Sequence, residues 1–349
     1  MLGQLRSRPK HFRDAAPPFL YIYVPMRPSF RNRILFVGHD TAFPVDPAAP
    51  VPKSRLWLTY TTDDPAQKWI EIATNRSAEH AAFYRSVYMR WAITINALNV
   101  ARDRYSEPEA KGLQILQAVR GDDGPQVVPL DTWWPETAAE NYEKSIPLMA
   151  AYGIQDLFGA MEEIIFDLYE IYLDAHPLEI LKGPDFKDER RLHRERNDGP
   201  EQETAWSAAW AERMTTWRRK RIYDGLHKVF RAFWDRSGLQ RSSAYNETDI
   251  DDWCTVIETI SELRNLLVHG ENLVSQRLGE LAAAQPRLGF RYVAGKVLES
   301  DLWDIMIVER FFSDMIVLLN ESLMELAAGG HSIMSMGLKR ETSTGRSGG

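Results

Sequence analysis

Ser261-Glu262-Leu263-Arg264-Asn265-Leu266-Leu267-Val268-His269-Gly270 closes a strongly apolar segment with an arginine, an asparagine, a histidine and a glycine. Upstream, Trp253, Val256, Ile257, Ile260, Leu263 and Leu267 recur at helical spacing and define a core-facing stripe. Arg264 falls on that stripe, at i+4 from Ile260 and i+7 from Ile257. Asn265 and His269 are i and i+4, so they share an adjoining face with Ser261 and Glu258. Gly270 predicts the helix stop and puts His269 at its C-terminal cap. An arginine can hold the charge that develops on a phosphate, and a histidine can move a proton. The pair suffices, in principle, to cleave RNA through its own 2′-hydroxyl. The plain structural reading of the same residues is an arginine paired with an acid and a histidine favoured by the helix dipole.

Spacing alone does not separate this pair from others. Arg6/His11 has the same gap, and Arg33/His39 and Arg221/His227 are one longer. Context separates them. Arg6/His11 lies in a polar, Pro-flanked segment, and Arg33/His39 brackets the strand-like Ile34–Val37. Arg221/His227 has an offset of six, which turns the two side chains to different faces of a helix.

Arg264-Asn265-Leu266-Leu267-Val268-His269 resembles the R-N-x-x-x-H form of the Arg-x(4–6)-His signature of the HEPN superfamily. The order of elements is similar too: a helix before the motif, a short helix from Val274 to Leu281, then a long closing helix from Leu302 to Leu326. The resemblance covers roughly residues 137–328. It implies an all-helical, usually dimeric protein of a family in which many members are metal-independent endoribonucleases of toxin–antitoxin and phage-defence systems. It implies Arg264 and His269 as the catalytic pair, with Asn265 the polar residue that often follows the arginine. Some family members are inactive binding modules, so a silent interaction or nucleotide-binding role stands as the alternative. Gly270-Glu271 after the histidine departs from the His-x-Tyr of the subgroup modified by a partner nucleotidyltransferase. One histidine serves two proton transfers poorly, which leads us to expect a homodimer whose mate contributes a second. An antitoxin or defence-system protein is a further expected partner.

Composition is that of a globular protein: 349 residues, 44% hydrophobic and 26% charged. The single cysteine, Cys254, excludes an intrachain disulfide and is expected to be a buried thiol. No apolar run reaches membrane-spanning length and no signal-like apolar centre opens the chain, so a cytoplasmic location with no membrane partner is expected. The net charge of −7 is unevenly spread. Residues 1–56 carry nine Lys/Arg against three Asp, residues 137–186 ten acids against two Lys, and residues 200–240 eight bases against five acids. Such asymmetry can steer an anionic ligand despite the negative total.

The expected fold is mostly α: a HEPN-like antiparallel helical bundle with an N-terminal accessory region containing short β pieces. Residues 1–76 read as a Pro-rich arm or small β region with β-leaning Phe19–Val24, Ile34–Val37 and Leu56–Thr62. Residues 77–136 read as an accessory helix, capped by Ser77, and a linker whose Gly121–Pro135 interval forms a domain boundary. Residues 137–328 make the helical domain, with a long helix over 137–175 bent near Pro147 or Gly153 and a charged loop over Lys187–Gly199. Two helices, Glu201–Arg219 and Ile222–Ser237, come next. Residues 329–349 read as a flexible Gly/Ser-rich tail.

Other signatures are weaker. Trp206, Trp210 and Trp217 recur beside Arg213, Arg218, Arg219, Lys220 and Arg221; aromatics interleaved with bases can stack on unpaired nucleotides. Trp217, Arg218, Arg219 and Arg221 are therefore the RNA-binding candidates, against a plain reading of core tryptophans with a basic rim. Asp249, Asp251 and Asp252 stand just before the apolar helix, where acids cap it rather than bind metal. Glu162, Glu163 and Asp167 read as a solvated face, or as partners for Arg264 across the bundle. With no metal-ligand spacing and no phosphate-binding loop, no metal and no cofactor are expected.

Overall fold

The computed structural model describes residues 57–122, 124–243, 247 and 249–330, and the fold they make is mostly helical with one small antiparallel sheet. The β-leaning Phe19–Val24 and Ile34–Val37, and the tail from 331 onward, lie outside the described residues. Of the β-leaning Leu56–Thr62, the described residues 57–62 form no strand. They are held instead by single hydrogen bonds: Tyr60 N–H donates to Thr74 Oγ1 (3.2 Å), and Leu58 C=O accepts from Asn320 Nδ2 (3.0 Å).

Helix α1 (Lys68–Tyr105) starts nine residues before the expected cap. Asp64 caps a short 3-10 turn with Pro65 at its first position, and that turn feeds straight into the helix. Ser77 consequently lies inside α1, buried, with its hydroxyl bonded back to Ala73 C=O (2.8 Å). After α1 the Gly121–Pro135 interval is no linker. Strands β1 (Leu113–Gly121) and β2 (Gly124–Trp133) pair antiparallel from Leu113↔Trp133 to Gly121↔Gly124, with one irregularity at Ile115/Leu116. Gly121 and Gly124, the outer residues of the Gly-Asp-Asp-Gly that reads as a boundary, pair with each other at the end of this ribbon.

Helix α2 (Pro135–Ala175) returns antiparallel to α1. Contacts climb one helix as they descend the other: Trp69 on Tyr172, His80 Nε2 on Asp167 (2.7 Å), Trp91 Nε1 on Asp156 (2.9 Å), Tyr105 stacked on Tyr142. The helix continues through Pro147. Gly153 makes room for close packing: a Cβ there would stand 2.6 Å from Ile305 and 3.2 Å from Trp91, so α1, α2 and the closing helix that carries Ile305 meet at this point.

The charged stretch expected as a loop forms α3 (Lys187–Glu195). It buries no residue, so no apolar stripe announces it, but Arg191 reaches Asp188 (3.6 Å) and Glu195 (3.9 Å) at helical spacing. Helices α4 (Pro200–Arg221), α5 (Leu226–Ser237), α6 (Ile250–His269), α7 (Gln276–Ala284) and α8 (Leu302–Ala327) complete the order. Side chains from Trp69 to Ala327 share one hydrophobic core, which α1 enters on the same terms as the later helices. Tyr84 of α1 packs on Phe312 of α8, ring centroids 4.5 Å apart. Among the described residues no helix is long and apolar enough to cross a membrane.

Candidate active site

Helix α6 is anchored at its start. Asp249 accepts from the N–H groups of Asp251 (2.8 Å) and Asp252 (3.0 Å), while Asp252 accepts from Asp249 N–H (3.1 Å). This reciprocal capping box, with Asp251 paired to Arg231, occupies all three acids structurally. Trp253 follows, buried against Phe230 and Trp234. Val256, Ile257, Ile260 and Leu263 continue the buried stripe, whereas Leu267 is only partly buried. Cys254 is half-buried rather than enclosed; its thiol lies 3.5 Å from His227 C=O, and burial pushes its pKa up.

The other end of α6 is built differently. Gly270 adopts φ 70°, a left-handed conformation that only glycine takes without strain, and it stops the helix directly after His269. Glu271 N–H closes the cap on Leu266 C=O (3.0 Å). His269 and Asn265 are exposed, and Arg264 is half-buried. The Arg264 guanidinium carbon stands 5.6 Å from the centroid of the Phe158 ring on α2, and its Nη1 donates to Asn265 Oδ1 (3.1 Å). Ring and amide together hold the fork over the α2–α6 seam. Arg264 and Asn265 thus meet in a hydrogen bond near the end of α6, and His269 is the last residue of the same helix.

The RNA-binding candidates share the last turns of α4 but face different surroundings. Trp217 is 3% exposed, set edge-on against Tyr169 (5.0 Å) and Phe166 (5.8 Å). Its faces are covered by protein, so it is a core residue and offers no base a stacking surface. Arg218 lies over the Phe166 ring (5.0 Å) and bonds Glu170 Oε1 (3.0 Å). Arg221 is taken up by Asp224 (2.6 Å), and Arg219 is exposed. Trp206 and Trp210 stack on each other, and Trp210 Nε1 donates to Asp174 (2.7 Å). The more exposed aromatic nearby is Tyr223, just past Arg219, Lys220 and Arg221; it lies in the turn after α4, where no helical periodicity marks it.

A row of α2 residues underlies both arginines. Phe158, Glu162, Phe166 and Glu170 are spaced by four, so they form one stripe along the helix. Arg264 covers Phe158 and Arg218 covers Phe166, leaving Glu162 between them. Burial pushes the Glu162 carboxyl up, while Arg264 and then Arg218 pull it down. Burial likewise lifts Glu170 to about 7 despite its bond to Arg218. Asp167, one turn on, is committed to His80 (2.7 Å) and Arg76 (3.2 Å). Among the described residues no group of three or more His, Cys, Asp or Glu side chains is placed to hold a metal ion.

Fold and site together define a mostly helical protein with an arginine and a histidine presented at the capped end of a buried helix. No protein-family model, curated protein or solved structure matches the chain.

Proposed function

We propose that this chain is a metal-independent endoribonuclease of toxin or phage-defence type, acting in the cytoplasm on RNA. One observation carries the reading: the last turns of α6 hold Arg264 half-buried over Phe158 and leave Asn265 and His269 open to a ligand. In the reaction the RNA's own 2′-oxygen attacks the adjacent phosphorus, and the 5′-oxygen leaves. Arg264 holds the charge on the phosphorane-like transition state, and His269 moves a proton. The substrate brings its own nucleophile, so no cofactor is needed to generate one. A homodimer fits the surroundings: Val268, Leu273, Val293 and Val297 are exposed beside the helix end, and Leu273 and Val297 pair in a short bridge. A two-fold mate packed there would cover this apolar surface and enclose the phosphate. An antitoxin or other defence-system protein could use the same patch.

The acidic stripe on α2 favours a second reading, a catalytically silent interaction or nucleotide-binding module, in which Glu162 serves only to balance Arg264. Incubating the purified chain with total RNA in excess EDTA separates the two. Cleavage should persist and leave 2′,3′-cyclic phosphate and 5′-hydroxyl ends, and a 2′-deoxy scissile position should resist it. His269→Ala should lose about 10²–10⁴-fold in rate. Arg264→Lys should also fail, because an ammonium cannot reproduce the planar fork. RNA left intact by the wild-type chain would support the silent module, and EDTA-sensitive cutting with 5′-phosphate ends would refute the mechanism.

A further inference from the structure

The chemistry above needs one group to take the 2′-OH proton and another to give a proton to the 5′-oxygen. His269 can be only one of them at a time. We infer that Glu162 is the second proton-transfer group, so that a single chain holds the complete set; the inference rests on the ribonuclease reading.

Three observations point to this carboxylate. It is half-buried on the α2 stripe, between the two residues whose rings carry Arg264 and Arg218. The acids that follow it along α2 towards Arg218 are committed: Asp167 to His80 and Arg76, and Glu170 to Arg218. Among the described residues no hydrogen bond or ion pair takes up Glu162 itself. The charges that act on it are Arg264 from α6, Arg218 from α4 and Glu163 from α2. Two cations flanking one uncommitted carboxylate suit a phosphodiester, because they offset the repulsion a lone acid would exert on it. Burial also raises the basicity of the carboxylate, which brings its proton affinity closer to working pH.

In the proposed step the 2′-oxygen bonds to phosphorus as its proton passes to Glu162. The P–O5′ bond breaks, and the protonated His269 ring gives its proton to the departing 5′-oxygen. The products are a 2′,3′-cyclic phosphate and a 5′-hydroxyl, with Glu162 protonated and His269 neutral; exchange with water resets both. The mate in a dimer then encloses the site without having to supply a histidine.

The test uses the full chain and a short single-stranded RNA, with kcat, KM and the pH–rate profile measured for wild type, Glu162→Gln, Glu162→Asp and, as control, Glu143→Gln at the exposed far end of α2. Glu162→Gln should lower kcat about 10²–10⁴-fold, leave KM within a few-fold and remove the acid limb of a bell-shaped profile. Glu162→Asp should retain part of the rate and the acid limb, and Glu143→Gln should match wild type. If the wild-type chain cuts and Glu162→Gln cuts equally well with an unchanged acid limb, the inference is overturned while the ribonuclease reading stands. If the wild-type chain does not cut at all, the ribonuclease reading itself has failed, and this inference falls with it.

Discussion

Both ends of α6 carry polar side chains and put them to opposite uses. At the start, Asp249 and Asp252 satisfy each other's backbone, Asp251 holds Arg231, and Trp253 is sealed by Phe230 and Trp234. At the finish, His269 and Asn265 are exposed, and Arg264 rests on one ring and one amide. Charge at the first end completes the fold. At the second it stands at a surface, where an approaching anion could engage it. A buried helix thus delivers polar side chains to a fixed point at little conformational cost, since the core has already ordered its backbone.

The strongest way to break this contrast is to damage each end and read stability. Trp253→Ala should cost about 3–5 kcal/mol by removing a buried aromatic from a three-ring cluster. A urea or thermal melt would register it as a large fall, while His269→Ala should leave the midpoint where it was. A comparable fall for His269→Ala would mean that the C-terminal end is structural too. Asp249→Ala gives a smaller effect in the same measurement, about 0.5–2 kcal/mol for a lost cap, with RNA cleavage per folded molecule unchanged.

The smallest expected effect sharpens the contrast along α2. Glu170 is raised from 4.5 to about 7 and Asp304 from 3.8 to about 6, both chiefly by burial. A carboxyl that binds its proton more tightly folded than unfolded favours the folded state at low pH. That contribution is complete below the unfolded pKa and is lost as pH rises through the folded one. Stability should therefore decline between about pH 4.5 and 7 on account of Glu170, and Glu170→Gln should flatten part of that decline in melts across the same range. If Glu170→Gln makes the decline steeper rather than flatter, Arg218 outweighs burial at Glu170.

The later helices were readable because their apolar stripes are long and their caps are ordinary: Asp249 and Asp301 before, Gly270 after. The earlier ones were not, for identifiable reasons. Ser77 has the chemistry of a cap but sits where its hydroxyl can bond back along an existing turn, and the true start was written in Asp64-Pro65. Helix α3 has no buried face, so only its charge spacing marks it. The ribbon's Gly-Asp-Asp-Gly also suits a linker, and its strands mix Gln and Pro with Val and Leu. At the site, the helix end that gathers Arg264, Asn265 and His269 follows from local spacing. Which face Trp217 turns inward does not, because the faces of α4 are decided by Phe166 and Tyr169 some fifty residues away. The place of Glu162 between two arginines is likewise a contact of distant segments; only the four-residue spacing of Phe158, Glu162, Phe166 and Glu170 hinted at a shared stripe.

The packing of α1 on α8 has a consequence for how the protein is made. Tyr84 bonds Val308 C=O across 224 residues, and Gln67 reaches Ala327 across 260. At roughly 5–20 residues per second of synthesis, 224 residues take about 11–45 s to follow. Helix α2 emerges early and can cover one side of α1, but the side that α8 will occupy must wait on the ribosome. Tyr84 and Val87 are fully buried in the finished protein, so during that interval the nascent chain keeps apolar surface open that a chaperone could hold. The Glu162–Arg264 seam, whose parts lie between residues 158 and 269, can come together before the last helix has been translated.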